Sequence, residues 1–203
     1  MPLDRASPRS RGRPREFDLD QVLDAAIGVF SERGYYGTSI SDLTEATKLT
    51  QGSLYKAFKD KQAIFLAAFD RYRARRLEKM RQVVGEGGSG LQRLRNALRF
   101  YADSSQGAQG RQGCLVVGSA AELSTFDPEV ARRIASALER NEAMFADLIR
   151  QGQEDGSISR QLDRAASARM LLCLVQGMRV VGKAGRSRAA MQAAADAAMK
   201  IFD

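Results

Sequence analysis

From Asp18 to the C-terminus apolar residues recur every three or four positions, and no stretch of useful length alternates as a half-buried strand would. That periodicity leaves an all-α fold, and its punctuation cuts the chain into helices of unequal length. Val22, Ala26 and Val29, widened by Leu23, Ile27 and Phe30, form the stripe of a first helix that Gly34 ends. Thr38-Ser39-Ile40-Ser41-Asp42 places a hydroxyl three residues before a carboxylate, a capping-box start for a short helix through Ala46. Thr47-Lys48-Leu49 forms a tight connection. Thr50 then caps a second short helix, Gln51 to Phe58, and Asp60 caps a longer one from Lys61 to about Val84. Gly85 to Gly90 holds four glycines in six residues and reads as a linker. Beyond it the pattern predicts helices at Leu91–Ser105, Cys114–Leu123, Pro128–Gln153 behind an Asp127 cap, Leu162–Val181 and Ser187–Phe202.

With 203 residues, 44% of them apolar, the chain can build a small head on a larger body. Its apolar runs, Met170 to Val175 among them, are too short to cross a bilayer, and no apolar segment follows the arginine-rich N-terminus. The expectation is a cytoplasmic protein with no membrane partner. There is no histidine, and Cys114 and Cys173 are too few for a metal cage or a disulfide framework. Without a Ser-His or Cys-His pair the chain is not read as an enzyme, and no cofactor or metal is expected.

The net charge is +8 and unevenly spread: residues 1–16 carry five arginines against Asp4 and Glu16. A basic tail beside a compact segment suits a polyanion, nucleic acid ahead of an acidic membrane. Residues 1–16 read as a basic arm, 17–61 as a head and 62–203 as the body.

Two short helices joined by a three-residue turn match the helix-turn-helix, in which the first helix braces and the second enters the major groove. Leu43, Ala46, Leu49, Leu54 and Phe58 would fix the angle between them. Thr50, Gln51, Ser53, Tyr55 and Lys56 bring hydroxyl, amide and ammonium groups to the outer side of the second helix, and Gly52 lets backbone approach a phosphate. Lys61 opens the next helix, where positive charge and free N–H groups suit a phosphate.

Phe17 to Tyr72 resembles the TetR/AcrR family of bacterial repressors, above all in Gly34-Tyr35-Tyr36-Gly37-Thr38-Ser39 and Gly52-Ser53-Leu54-Tyr55-Lys56-Ala57-Phe58-Lys59-Asp60-Lys61. The resemblance implies a ligand-released repressor that binds a palindromic operator as a two-fold dimer, with double-stranded DNA as partner. It implies that Thr38 and Ser39 touch phosphate, that Thr50, Gln51 and Ser53 lie at the groove, that Tyr55 and Lys56 bind phosphate or a base edge, and that Lys61 clamps the backbone. Lys48 departs from the pattern, since the family usually has glycine at this turn. A lysine forced to positive φ costs about 1 kcal/mol, so a slight rearrangement of the turn is expected. In the arm, Arg11-Gly12-Arg13-Pro14-Arg15 resembles the AT-hook, whose arginines enter a narrow A·T minor groove; an unspecific polybasic tail is the alternative.

The same resemblance implies a ligand cavity in the body and a homodimer seam from the last two helices. Leu171, Leu174, Val175 and Met178 on one, with Ala189, Ala190, Ala193, Ala194, Ala197, Met191 and Ile201 on the other, supply apolar and small residues for it. Tyr101, Leu115, Val116, Glu122, Phe126, Met144, Phe145 and Leu148 are the candidate cavity walls, implying a small, mostly apolar effector. Cys114 follows Gly113 at an expected helix start that favours a thiolate; a redox or electrophile sensor and a structural cysteine both fit.

Overall fold

The computed structural model describes residues 17–86, 88–123 and 127–202, so Arg11, Arg13, Arg15 and Phe126 lie outside the described residues. Those residues form ten helices and no strand. They are α1 (Leu19–Arg33), α2 (Ile40–Thr47), α3 (Gln51–Ala57), α4 (Lys61–Gly85), α5 (Gly90–Ser104), α6 (Gly107–Gln112), α7 (Leu115–Leu123), α8 (Pro128–Asp155), α9 (Arg164–Lys183) and α10 (Arg188–Met199).

Local chemistry sets most of these boundaries. The side chains of Asp18, Ser39, Thr50, Asp60, Ser89, Asp127, Asp163 and Ser187 each accept a backbone N–H at a helix start. Ser39 and Asp42 form the reciprocal capping box expected from their spacing. Helix α6 is the element the sequence does not announce. It has two glycines, Gly107 and Gly110, and no side-chain cap. Packing against α1 and α9 holds it instead.

Lys48 adopts the left-handed conformation, φ 58° and ψ 24°, and is the only non-glycine at positive φ among the described residues. The turn therefore keeps its shape and carries the strain. Lys48→Gly is expected to stabilise the protein by up to ~1 kcal/mol, about 2–4 °C in Tm. A melting temperature below wild type would show that the lysine makes a compensating contact.

Two apolar cores are present among the described residues. One gathers Val22, Ala26 and Phe30 of α1 with Leu43, Leu54, Ile64, Phe65 and Phe69, then continues into Leu115 and Leu123 of α7 and Val130 and Ile134 of α8. The other lies farther along the body, around Leu94, Leu98, Phe145, Ile149, Leu171 and Val175. The head therefore shares its core with α7 and the start of α8, and residue 61 marks no break in packing.

Candidate nucleic-acid interface and body cavity

Leu54, fully buried, fastens α3 to the head and turns the opposite face outward. On that face Thr50, Gln51, Gly52, Tyr55 and Lys56 are exposed, with Ser53 half-buried beside them. Tyr55 is 41% exposed, and Tyr36, which sequence reasoning did not single out, is 60% exposed. A Cβ at Gly52 would meet nothing nearer than Thr50 Oγ1 at 4.0 Å, so the fold itself does not ask for glycine there.

The other candidates in the head have internal duties. Thr38 is 1% exposed, and its hydroxyl donates to the Gly34 carbonyl at 2.6 Å. Lys61 Nζ donates to the carbonyls of Tyr35 and Thr38, both at 3.0 Å, and lies 4.3 Å from the Tyr35 ring centroid. This ammonium braces the α1–α2 loop, with a third N–H left to donate. The Ser39 hydroxyl, exposed, donates to Asp42 at 2.7 Å. Hydrogen bonds from Ser39, with Arg33 nearby, hold the Asp42 carboxyl below its ordinary range.

Polar clasps join head to body. Glu122 on α7 accepts the N–H groups of Tyr35 at 2.8 Å and Tyr36 at 2.6 Å. Lys183, ending α9, donates to the carbonyls of Ser31 at 3.2 Å and Glu32 at 3.1 Å. Gln62 on α4 reaches Asp127, the cap of α8. Arg71 grips Asp24 through two bonds, at 2.7 and 2.9 Å, tying α4 to α1. Arg71 and Arg75 keep the Asp24 carboxyl ionised below its usual range.

The body contains a cavity of about 290 Å³ that is partly open to solvent. Tyr101, Val116 and Met144 line it as expected. Leu115, Phe145 and Leu148 do not: they are packed into the two cores, because fully apolar side chains on inward stripes fill interior space. Glu122 is also not a wall, since its carboxylate is drawn to the unpaired amides of the α1–α2 loop. Sequence reasoning missed apolar walls such as Met80 and Phe100, and it missed a polar set as well: Tyr72, Arg76, Cys114 and Arg179. Periodicity held a signal for two of them. Arg76 lies one turn beyond Tyr72, and Arg179 one turn beyond Val175, each on its helix's buried stripe. Tyr72 donates to Cys114 Sγ at 3.3 Å.

Comparison with known proteins bears on both halves. A family model described as bacterial regulatory proteins, tetR family, matches residues 22–68. A second, described as tetracyclin repressor-like, C-terminal domain, matches residues 90–198, more than half the chain. The chain belongs to the TetR family. The transcriptional repressor ComR of Escherichia coli K12 is 30% identical over 195 residues, spanning 96% of this chain and 93% of ComR. The repressor DhaR of Mycobacterium sp. strain GP1 is 29% identical, covering 82% of this chain and 83% of DhaR. Among solved structures, a cysteine mutant of the TetR-family regulator CifR bound to a 26-bp double-strand operator superposes with a TM-score of 0.85. It is 28% identical and covers 95% of this chain and 100% of that one. This TetR-family protein is a DNA-binding transcriptional regulator.

Proposed function

We propose that this TetR-family protein is a homodimeric repressor that sets α3 of each protomer into one half of a two-fold operator and is released by a small effector held in the body cavity. The observation that carries the reading is the outer face of α3, where polar side chains, an unforced glycine and an exposed tyrosine surround a fully buried Leu54 anchor. Gln51 offers the amide geometry that reads adenine in the major groove, while Tyr55, Lys56 and Ser39 suit phosphates. Thr38 and Lys61 serve the interface chiefly by fixing the loop that presents it.

The dimer is supported by an uncovered apolar stripe. Met170, Cys173, Gly177, Val180 and Val181 are exposed on one side of α9, and Ile201 lies exposed just past α10. Leu171, Val175 and Met178, expected at the seam, are buried in the protomer's own core instead, with Leu174 and Ala194 packed against it. Effector release is supported by the helices around the cavity. Helices α4, α7 and α9 line it, and each also carries a clasp to the head, at Lys61, Glu122 and Lys183. An effector preferring one arrangement of these helices shifts the population of head spacings by its differential affinity alone.

Selection of bound duplexes from a random pool, followed by sequencing, tests the reading. A palindromic consensus is expected. Gln51→Ala should then relax one base pair per half-site, losing about 1–3 kcal/mol on the correct site with little change on random DNA. A pool without consensus, or a Gln51→Ala protein with unaltered preference, would remove α3 as the reading element. Deleting residues 1–15 should weaken binding chiefly where A·T pairs flank the operator, if Arg11, Arg13 and Arg15 enter the minor groove.

A further inference from the structure

The charges around the body cavity do not balance. Arg73, Arg76, Arg140 and Arg179 line it, and Asp70 is the one carboxylate among its described lining residues. Asp70 is already paired with Arg133 of α8. Partial burial, then the neighbouring Arg140, lower the Arg73 guanidinium from its ordinary range, with Asp70 opposing them only in part.

Two of the four arginines are interior groups with N–H left over. Arg179 is 3% exposed; it donates to the carbonyls of Ser104 and Gly113, and its buried Nε has no partner among the described residues. The Arg76 guanidinium lies 4.8 Å from the Phe100 centroid and 5.5 Å from that of Tyr101, interacts with the Tyr72 and Tyr101 hydroxyls, and keeps one buried terminal nitrogen with no partner among the described residues. Stacked rings hold this planar fork in place before any ligand arrives. Leaving a buried cationic donor unsatisfied costs more than a neutral one, so these N–H groups call for an acceptor. Cys114 meets the need only in part. Burial pushes its thiol up, Arg179 and Arg76 bring it below the ordinary range, and a thiolate would supply one negative charge for two buried cations.

Met80, Phe100, Val116 and Met144 make much of the remaining wall. The volume of about 290 Å³ is just below the roughly 300–1,000 Å³ typical of ligand pockets, which suits a small molecule. We propose that the cavity binds a small organic carboxylate, its head taken by Arg76 and Arg179 and its hydrocarbon body laid against the apolar wall. The effector is thus an amphiphilic anion rather than the mostly apolar molecule expected from sequence. Only its consequence at DNA rests on the effector-release reading; binding to the free protein does not.

The test uses the full chain and a panel of straight-chain carboxylates from acetate to octanoate with benzoate and phenylacetate, each paired with its uncharged amide. At least one carboxylate should raise the melting temperature saturably and bind at least tenfold more tightly than its amide. Arg76→Met, which keeps the side-chain bulk among the rings, should cost that carboxylate tenfold or more while amide binding stays constant. The inference is overturned if amides bind as well as acids, if sulfate alone matches the best carboxylate, if Arg76→Met leaves carboxylate affinity unchanged, or if no member binds. The two readings separate at the operator. A carboxylate that binds without releasing DNA would sink effector release and leave the anion site standing, whereas release by a neutral compound from the panel would do the opposite.

Discussion

Gly182→Ala is expected to lower the melting temperature by about 6–12 °C, the equivalent of roughly 3 kcal/mol in a chain of this size. A Cβ at Gly182 would stand 2.1 Å from the Ser105 carbonyl oxygen, 2.8 Å from its carbon and 3.1 Å from its Cα. All three are backbone atoms at the end of α5, so no side chain can swing away. The helices must separate, and the gap would open where Arg179 binds the Ser104 carbonyl and Lys183 reaches the head. Operator affinity should therefore fall together with stability. Gly118→Ala is the matched control, since a Cβ there meets nothing within 4 Å on a helix of the same body. It should be neutral or stabilise by up to ~1 kcal/mol. If Gly182→Ala melts within about 2 °C of wild type, the close crossing of α9 over Ser105 does not exist in solution.

Placing glutamates at Met170 and Val180 should abolish specific operator binding. Both residues are on the exposed stripe of α9, at 36% and 56% exposure, and neither belongs to the protomer's core. The doubly substituted chain should fold, because both positions face solvent in one protomer. In a two-fold seam each glutamate would be desolvated without a partner, twice over by symmetry. A monomer reaches one half-site alone and drops toward the non-specific range, a loss of roughly a thousandfold or more in affinity. Light scattering should show the wild type as a dimer at micromolar concentration and the variant as a monomer with an unchanged helical spectrum. A wild type that scatters as a monomer, or a variant that still dimerises, would place the seam elsewhere.

What could be read from the sequence and what could not divides along the range of the interactions involved. Ser39 with Asp42, Thr50, Asp60, Asp127 and Ser187 act on backbone groups two or three residues away, so their helix starts were visible in the string. The outer face of α3 was visible too, because one buried leucine fixes a seven-residue helix. Glu122 was assigned to the cavity because an isolated carboxylate in an apolar stretch suggests an interior ligand group; its partners are amides 86 and 87 positions away. Helix α6 escaped because tertiary contacts, not its own residues, stabilise it. Apolarity alone does not separate a cavity wall from a core position, and packing takes Leu115, Phe145 and Leu148 into the cores. Arg76 and Arg179 could have been found by extending the inner stripes of α4 and α9 one more turn and asking why a guanidinium stood there.

The core that runs from α1 through α7 into the start of α8 bears on how regulators of this build can exchange parts. A chimera joined at residue 61 would transplant Leu43 and Leu54 while leaving behind Ile64, Phe65, Phe69, Leu115, Leu123, Val130 and Ile134, the surfaces they were shaped to meet. Mismatched volumes across such a junction cost several kcal/mol, much of a domain's whole margin. On the proposed reading, a new operator preference is therefore reached more readily by changing Gln51, Tyr55 and Lys56 in place, since these exposed side chains, unlike the Thr50 cap, hold no helix start. Recombination would need to carry α1 through α4 with α7 and the beginning of α8 as one inherited block, two stretches that are separated in the gene.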